Sequence, residues 1–416
     1  MGLRGPASRS RVEWIVDPPP RRQGAPAMAK YSLDNVTIDG FRGLRNLRLD
    51  ELGLINILVG KNDSGKTSVL EALSVLCNPL DPFEWVSMVR RRDFGQMDET
   101  RLQSLRWCFA QSGQLADPDF QYEGECTMLC DGRFPLRKLQ AVYKDIVGEP
   151  NIDRNLYHLQ NEMGRWKRTL SKADVADVEP GRGAEITHSI EWAEAEPPSE
   201  AENHQTVVLQ VWEGRPILAK RARLRRRFLH TETLTPYSYQ INRIQVRSQS
   251  RLLFDRDSRL PIIDLIREFD PEIQDLDIVS FRGARPAIYF YHRRLGAAPL
   301  SIFGDGLRRA VLLASTLLTL KDGGILLIDE MEAGIHVKAL QKVFAWLTRV
   351  ARELGVQVVA TTHSLEAVDG VMLSNKDRID DVVTYHLDQK EHETRVKRIE
   401  GEILLHLRYE GGLDVR

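Results

Sequence analysis

Eight consecutive residues, Gly60-Lys61-Asn62-Asp63-Ser64-Gly65-Lys66-Thr67, have the types and spacing of a phosphate cradle, G-x-x-x-x-G-K-[ST]. Gly60 and Gly65 let the main chain curl around phosphate oxygens. A helix starting here offers unpaired N–H groups and the positive end of its dipole. The Lys66 ammonium would reach the β- and γ-phosphates, and the Thr67 hydroxyl would ligate Mg²⁺, with Ser68 next in the same helical turn. The competing explanation is a glycine-rich turn with no ligand. Context disfavours it, because the motif follows the apolar run Leu54–Gly60 and opens an amphipathic stretch.

A second set of functional groups lies far downstream. Gly324-Ile325-Leu326-Leu327-Ile328-Asp329-Glu330 reads as an apolar strand ending in two carboxylates. Paired acids there lose solvation unless they serve a cation or a water. Beside a phosphate cradle, Asp329 is the expected Mg²⁺ partner and Glu330 the expected general base for an attacking water. The bland alternative is an acid pair capping a surface helix. Lys66 and Asp329 are 263 positions apart, which implies a large insertion between two halves of one site. Another apolar strand ends in Thr361-Thr362-His363-Ser364, 34 residues after Asp329, or one strand–helix–strand step. His363 is thereby placed where an imidazole can contact the γ-phosphate or the water, although a lone His is more often structural. Ser301-Ile302-Phe303-Gly304-Asp305-Gly306 precedes a further helix, and Ser301, Gly304, Asp305 and Gly306 make a second anion-binding helix start. Such a turn is uninformative alone and informative beside the other three motifs.

These groups need a sheet to bring them to one edge. From Tyr31 an alternating stretch reads as short strands feeding the buried run at Leu54–Gly60. Ser64 to Cys77 reads as a helix with Val69, Leu70 and Leu73 on one face. After Arg259, apolar strands alternate with amphipathic helices, of which His336–Leu354 is the clearest, with Gly355 as its stop. Between lie strand-like pieces (FQYEGECTML, QTVVLQVW), a helix-like piece around Leu156–Leu170 and an acidic loop. The fold class is α/β: a mostly parallel, helix-covered sheet with an N-terminal antiparallel β part and a large mixed α+β insertion.

Composition bounds the rest. The chain has 416 residues, 42% hydrophobic and 28% charged, with net charge -1, which excludes a disordered chain and a generally basic nucleic-acid binder. The longest apolar run, near Ala310–Leu320, is too short to span a bilayer, so no membrane partner is expected. Four cysteines are too few for a disulfide scaffold, and Cys126 and Cys130 have no neighbours to complete a zinc site. A cytoplasmic, reduced protein is the expectation.

The four motifs, in this order with a large insertion between the first two, resemble P-loop ATPase heads of the ABC/SMC/RecF type. The stretches FRGLRNLRLDELGLINILVGKNDSGKTSVLEAL, PLSIFGDGLRRAVLLA and LLIDEMEAGIH are similar to OLD-type AAA-family ATP-binding proteins. The resemblance covers residues 30–77 and about 259–390. It implies ATP and Mg²⁺ as ligands and a head-to-tail homodimer, with ATP between the P-loop of one subunit and Ser301–Gly306 of the other. It further implies that Glu332, Gly334 and His336 face the partner subunit. Two positions depart from the pattern: Val337 replaces a frequent Pro, and Phe303 adds bulk to the signature. No glutamine is assigned to a Q-loop. Many OLD-type proteins carry a C-terminal Toprim nuclease domain, and this chain ends 53 residues after His363, so a separate Toprim-like nuclease or other effector is the expected partner.

The expected organisation is a disordered extension or mis-called start over 1–27 and an ATPase half with the P-loop over 28–77. An insertion over 78–258 serves as lid or arm, the second ATPase half covers 259–390, and a tail covers 391–416. The insertion contains Lys220, Arg221, Arg223, Arg225, Arg226 and Arg227, six cations in eight residues. They could track a DNA backbone, or form a solvated face in an Arg-rich chain. Three functions compete: an ATPase in DNA repair or phage defence, an ATP-gated scaffold or signalling protein, and the ATP-binding subunit of an ABC transporter.

Overall fold

The computed structural model describes residues 30–92, 101–111, 122–148, 157–160, 166–169, 181–193, 203–213, 217–220, 229–238, 256–279, 287–320, 323–390, 393–409 and 412–415. The apolar runs around the phosphate motif form a six-stranded sheet. Its order is β12 (Thr231–Leu234), β16 (Ile325–Ile328), β17 (Gln357–Thr361), β3 (Ile55–Gly60), β18 (Val382–Lys390) and β19 (Glu393–Glu400). The first five are parallel, and β19 closes one edge antiparallel to β18. All six residues of β3 are buried, as a central parallel strand requires. Its one polar member, Asn56, is satisfied: the side chain accepts from Gly53 N–H and donates to the Gly53 and Val358 carbonyls. Because β3, β16 and β17 run the same way, Gly60, Asp329 and Thr362 emerge at the same end of the sheet, where open α/β sheets place ligands.

The second sheet is antiparallel, in the order β2 (Leu47–Leu49), β1 (Asn35–Asp39), β5 (Glu123–Asp131), β6 (Leu136–Gly148), β9 (Gly181–Trp192), β10 (His204–Trp212), β11 (Ile217–Lys220), β7 (Tyr157–Gln160), β8 (Trp166–Thr169). Strand β4 (Ala110–Gln111) pairs with β5 off this path. Residues from before and after the P-loop thus share one sheet. It packs over α1 (Lys66–Cys77), whose Val69, Leu70, Leu73 and Leu76 belong to one core with Met128, Leu139 and Ile186 on one side and Ile325, Leu327 and Val359 on the other. The sequence suggested one apolar face for this helix. The structure buries it nearly all round, because it is sandwiched between two sheets, and each apolar side chain so enclosed contributes about 1.5–3 kcal/mol. Two short helices follow, α2 (Glu84–Arg92) and α3 (Arg101–Arg106). Trp85 of α2 is fully buried, stacked on Phe109 at 4.7 Å and tilted against His188 at 5.6 Å.

One expectation is corrected. The piece around Leu156–Leu170 is a hairpin of β7 and β8, not a helix, and β7 extends the sheet by pairing with β11. Pairing with an open strand edge outweighs the local helical spacing.

The remaining helices cover the parallel sheet: α4 (Arg256–Arg267), α5 (Asp305–Thr319), α6 (Val337–Leu354), α7 (Leu365–Ser374) and α8 (Gly401–Tyr409). His336 caps α6 by accepting from Lys338 N–H, and Gly355 ends it at φ 65, as its position at the C-terminal stop suggests. A small antiparallel sheet, β13 (Ile273–Val279), β14 (Ala287–His292) and β15 (Gly296–Pro299), adjoins α4 and leads into α5. The parallel-sheet unit continues past residue 390, with Ile399 of β19 and Leu404 of α8 buried in its core. The four cysteines are free and buried, and burial pushes the Cys77 and Cys108 thiols up to about 12. No helix among the described residues is long and apolar enough to cross a membrane.

Candidate functional site

The P-loop joins β3 to α1 through a turn that most residues cannot follow. Gly60 has φ 144, and a Cβ on it would lie 2.3 Å from the Leu387 carbonyl oxygen of β18. Gly65, at φ 92, would drive a Cβ to 2.7 Å from Leu44. Lys61, Asn62, Asp63 and Ser64 form the loop between them, with Asp63 itself at φ 62. Lys66 is 5% exposed and donates to the Gly60 and Lys61 carbonyls at 2.8 and 2.7 Å. Burial pushes its ammonium below the usual lysine value, against Asp329, Asp63 and Glu330, which raise it. The loop thus holds a buried cation beside the first turn of a helix, the arrangement that receives polyphosphate.

The strand ends supply the acids. Thr67 Oγ1 lies 3.1 and 3.2 Å from the two oxygens of Asp329, and Thr361 Oγ1 donates to Asp329 Oδ1 at 2.7 Å. Thr67 and Asp329 therefore offer only oxygen donors within one small volume, which suits a hard divalent cation such as Mg²⁺. Glu330 adopts φ 47, a left-handed conformation that costs a non-glycine residue about 1–3 kcal/mol, and its N–H is held by Thr361 Oγ1 at 2.8 Å. Partial burial, then the Asp329 and Glu332 charges, raise the Glu330 carboxyl above the ordinary range, against His363 and Arg309. A carboxylate moved in that direction is a better proton acceptor.

Glu330 and His363 line the same cavity as Asn62–Ser68, with a volume of about 690 Å³. Among the described residues its other walls are Arg42, Gly43 and Leu44 before β2, Arg92 at the end of α2, and Gln389 and Thr394 on the β18–β19 hairpin. Glu71 on α1 clamps both arginines, at 2.7 Å from Arg42 Nε and 2.6 Å from Arg92 Nε, so two guanidiniums share one carboxylate at the cavity rim. Helical spacing put Glu71 one turn after Thr67. Nothing in the sequence linked Arg42 or Arg92 to it.

Ser301, Gly304 and Asp305 are exposed at the start of α5, and they do not line this cavity. The bulk of Phe303 turns inward instead, packing edge-on against Phe290 at 5.0 Å and beside His292 at 6.2 Å. Gly306 abuts the Gly334 carbonyl and Phe269, where a Cβ would sit at 3.3 Å from each. Gly334 and His336 are exposed, whereas Glu332 turns toward its own subunit, its carboxylate accepting from Thr362 Oγ1 and His363 N–H. Arg309 of α5, 1% exposed, donates to the Thr235 carbonyl at 2.6 Å, tying the signature helix to the loop after β12.

Asp270, Glu272 and His292 also converge. His292 Nδ1 accepts from Arg294 and Leu295 N–H, which leaves the ring proton on Nε2, facing Asp270 Oδ2 at 3.2 Å. Glu272 is taken by Arg294. With its Nδ1 lone pair already taken by two main-chain N–H groups, the imidazole has no free nitrogen to offer a metal, so the trio clasps the hairpin beside Phe303. In the basic run, Lys220 ends β11, and Arg221, Arg223, Arg225, Arg226 and Arg227 lie outside the described residues.

Comparison with known proteins gives two family models, "AAA domain, putative AbiEii toxin, Type IV TA system" over residues 162–369 and "AAA ATPase domain" over residues 32–128. Two relatives come from Methanocaldococcus jannaschii. Uncharacterized protein MJECL10 is 43% identical over 51 residues, 12% of this chain and 23% of that protein. Uncharacterized protein MJECL11 is 41% identical over 66 residues, 16% of this chain and 57% of that protein. The chain thus spans less than two thirds of either relative. Among solved structures, an SMC head bound to the C-winged helix domain of ScpA aligns at 9% identity and TM-score 0.46, covering 89% of this chain and 98% of that one. The SMC head domain from Thermotoga maritima aligns at 11% identity and TM-score 0.40, covering 88% and 99%. The first family model takes in half of the chain, including the Asp329–Glu330 strand end and His363, and the second takes in the P-loop: this chain belongs to the AAA-domain ATPases of that first family.

Proposed function

We propose that the protein hydrolyses ATP with Mg²⁺ and that two copies close head-to-tail around the nucleotide. The observation that carries this reading is the convergence of Glu330 and His363 on the P-loop cavity, while Ser301, Gly304 and Asp305 sit exposed outside it. Lys66 takes the β- and γ-phosphates, with Arg42 and Arg92 at the rim as further phosphate partners. Thr67 and Asp329 hold Mg²⁺, which neutralises charge on the phosphate oxygens when bound. Glu330 accepts the proton of the attacking water, and His363 steadies the water or the γ-phosphate. Ser301, Gly304, Asp305 and Gly306 complete the site of the opposite subunit through the helix start of α5.

The finer reading is an OLD-like ATPase acting in phage defence or DNA repair through a separate nuclease or effector. The mention of type IV toxin–antitoxin systems in the family description favours defence. A second reading, in which ATP gates a partner protein without DNA, draws support from the outer face of the antiparallel sheet. There, among the described residues, Asp39, Glu123, Glu125, Asp131, Glu185 and Glu191 outnumber Arg48, Lys138 and Lys144, and such a face disfavours a phosphate backbone. Mass measurement of Glu330→Gln with ATP tests the dimer: a dimer with ATP and a shift toward monomer without it are expected. An oligomer indifferent to ATP and to Ser301→Arg overturns it, and the ATPase rate with and without DNA separates the two outputs.

A further inference from the structure

We infer that Glu332 is a positioning residue: it fastens the His363 main chain to the loop after Glu330, so that the place of His363 at the cavity follows the conformation of that loop. The inference rests on the hydrolytic reading of the site for its consequence, not for its geometry. The Glu332 carboxylate accepts from Thr362 Oγ1 at 2.7 Å and from His363 N–H at 3.0 Å. Thr362 is fully buried, and its hydroxyl in turn accepts from Ser364 N–H at 3.0 Å. Ser364 caps α7 by accepting from Ala367 N–H. One carboxylate therefore holds the whole bend from β17 into α7, with the imidazole of His363 carried on its second residue.

The other end of the link is stiff. Ala333 N–H bonds to the Glu330 carbonyl and Ile335 N–H to the Glu332 carbonyl, making two overlapping turns that lead into the His336 cap of α6. Met331 N–H bonds to the Thr361 carbonyl, so residues 330–332 track residues 361–363 step for step. The same loop touches the signature, since the Gly334 carbonyl lies against Gly306. A displacement of Gly334 by a docking subunit would reach His363 through Glu332 without passing through the P-loop. In the head-to-tail reading this couples subunit closure to the readiness of the γ-phosphate end.

The test compares Glu332→Ala, Glu332→Gln and His363→Ala, singly and combined, by ATP turnover and by hydrogen exchange of the peptide covering Thr361–Leu365. Glutamine can keep both bonds: its oxygen accepts from His363 N–H, and its amide donates to Thr362 Oγ1, whose proton turns to the Ser364 carbonyl 3.5 Å away. Glu332→Ala is expected to lower kcat about tenfold or more with little change in KM for ATP, while Glu332→Gln recovers most of that loss. In the His363→Ala background, Glu332→Ala should add less than about twofold, because its effect passes through His363. Exchange at the His363 amide in nucleotide-free protein should rise about tenfold in Glu332→Ala and not in Glu332→Gln. Equal loss in both backgrounds, glutamine no better than alanine, or unchanged exchange in Glu332→Ala overturns the inference. The exchange result stands without hydrolysis or dimerisation, so a protein that neither turns over nor dimerises would remove the proposed function and leave this link to be judged by exchange alone.

Discussion

Replacing Glu330 by glutamine removes a charge and little else. The side chains are nearly isosteric, and the Glu330 backbone stays pinned by Thr361 Oγ1 on its N–H and by Ala333 N–H on its carbonyl. The strain of φ 47 is common to both residues, so stability should change by less than about 0.5 kcal/mol. Nucleotide binding should hold or tighten, because Asp329, Glu330 and Glu332 crowd one end of a site that receives a polyanion. Removing one unit charge about 6 Å from another is worth roughly 0.7 kcal/mol in bulk-water dielectric, or about threefold in affinity. Turnover should fall by about 100-fold or more, which is about 2.7 kcal/mol on the barrier for loss of a general base. Lys66→Ala behaves oppositely and weakens binding itself, since a phosphate partner goes and the loop loses the cation that its carbonyls surround. Phosphate release under saturating ATP, with a parallel equilibrium binding curve, measures both quantities. Normal turnover of Glu330→Gln with intact binding refutes its role as the base.

His188 gives a prediction far from the site. Fully buried against Trp85, its imidazole is pushed by burial down to about 4, below the usual 6.5, so the unfolded chain binds more protons between those values and folding stability falls as pH drops from about 6.5 to 4. Full development at low pH amounts to about 3 kcal/mol, and urea midpoints against pH should show a shallower slope for His188→Phe; equal slopes refute it. Reversing Arg225, Arg226 and Arg227 to Glu should weaken DNA binding by about 1 kcal/mol per lost phosphate contact and flatten its salt dependence, with DNA-free hydrolysis unchanged. Equal affinities for both proteins would return the run to a solvated face and favour the partner-gated output.

What the sequence made legible is what depends on order along the chain. The P-loop is a contiguous motif, and β3, β16 and β17 are short apolar runs whose parallel pairing follows from the helices between them. Given that sheet, Asp329 and His363 had to emerge beside Gly60, and they do. The stop at Gly355 was equally local. The hairpin β7–β8 was misread for the complementary reason: a four-residue strand is fixed by the edge it joins, and the edge offered by β11 is sixty residues away in the chain. Nor could the burial of α1 on all sides be read from its own pattern, since the second layer comes from strands on either side of it in sequence.

The side chains that escaped are those whose roles depend on a meeting of distant segments. Arg42 and Arg92 are unremarkable in a chain with so many arginines, and only their shared grip on Glu71 brings them to the cavity. Phe303 looked like added bulk on an exposed signature, yet the ring is the anchor that seats the turn on Phe290 and His292. The resemblance placed Glu332 in a partner-facing loop, and its neighbours Gly334 and His336 are exposed. Its own carboxylate points the other way because β17 ends in two donors, Thr362 Oγ1 and His363 N–H, that would be left unpaired at a partly buried bend. A residue can thus sit in a contact loop and serve the interior of its own subunit. In the head-to-tail reading, that division within five residues, exposed glycine and histidine against an inward acid, would let one loop meet a partner and still report the meeting to the phosphate end of the site.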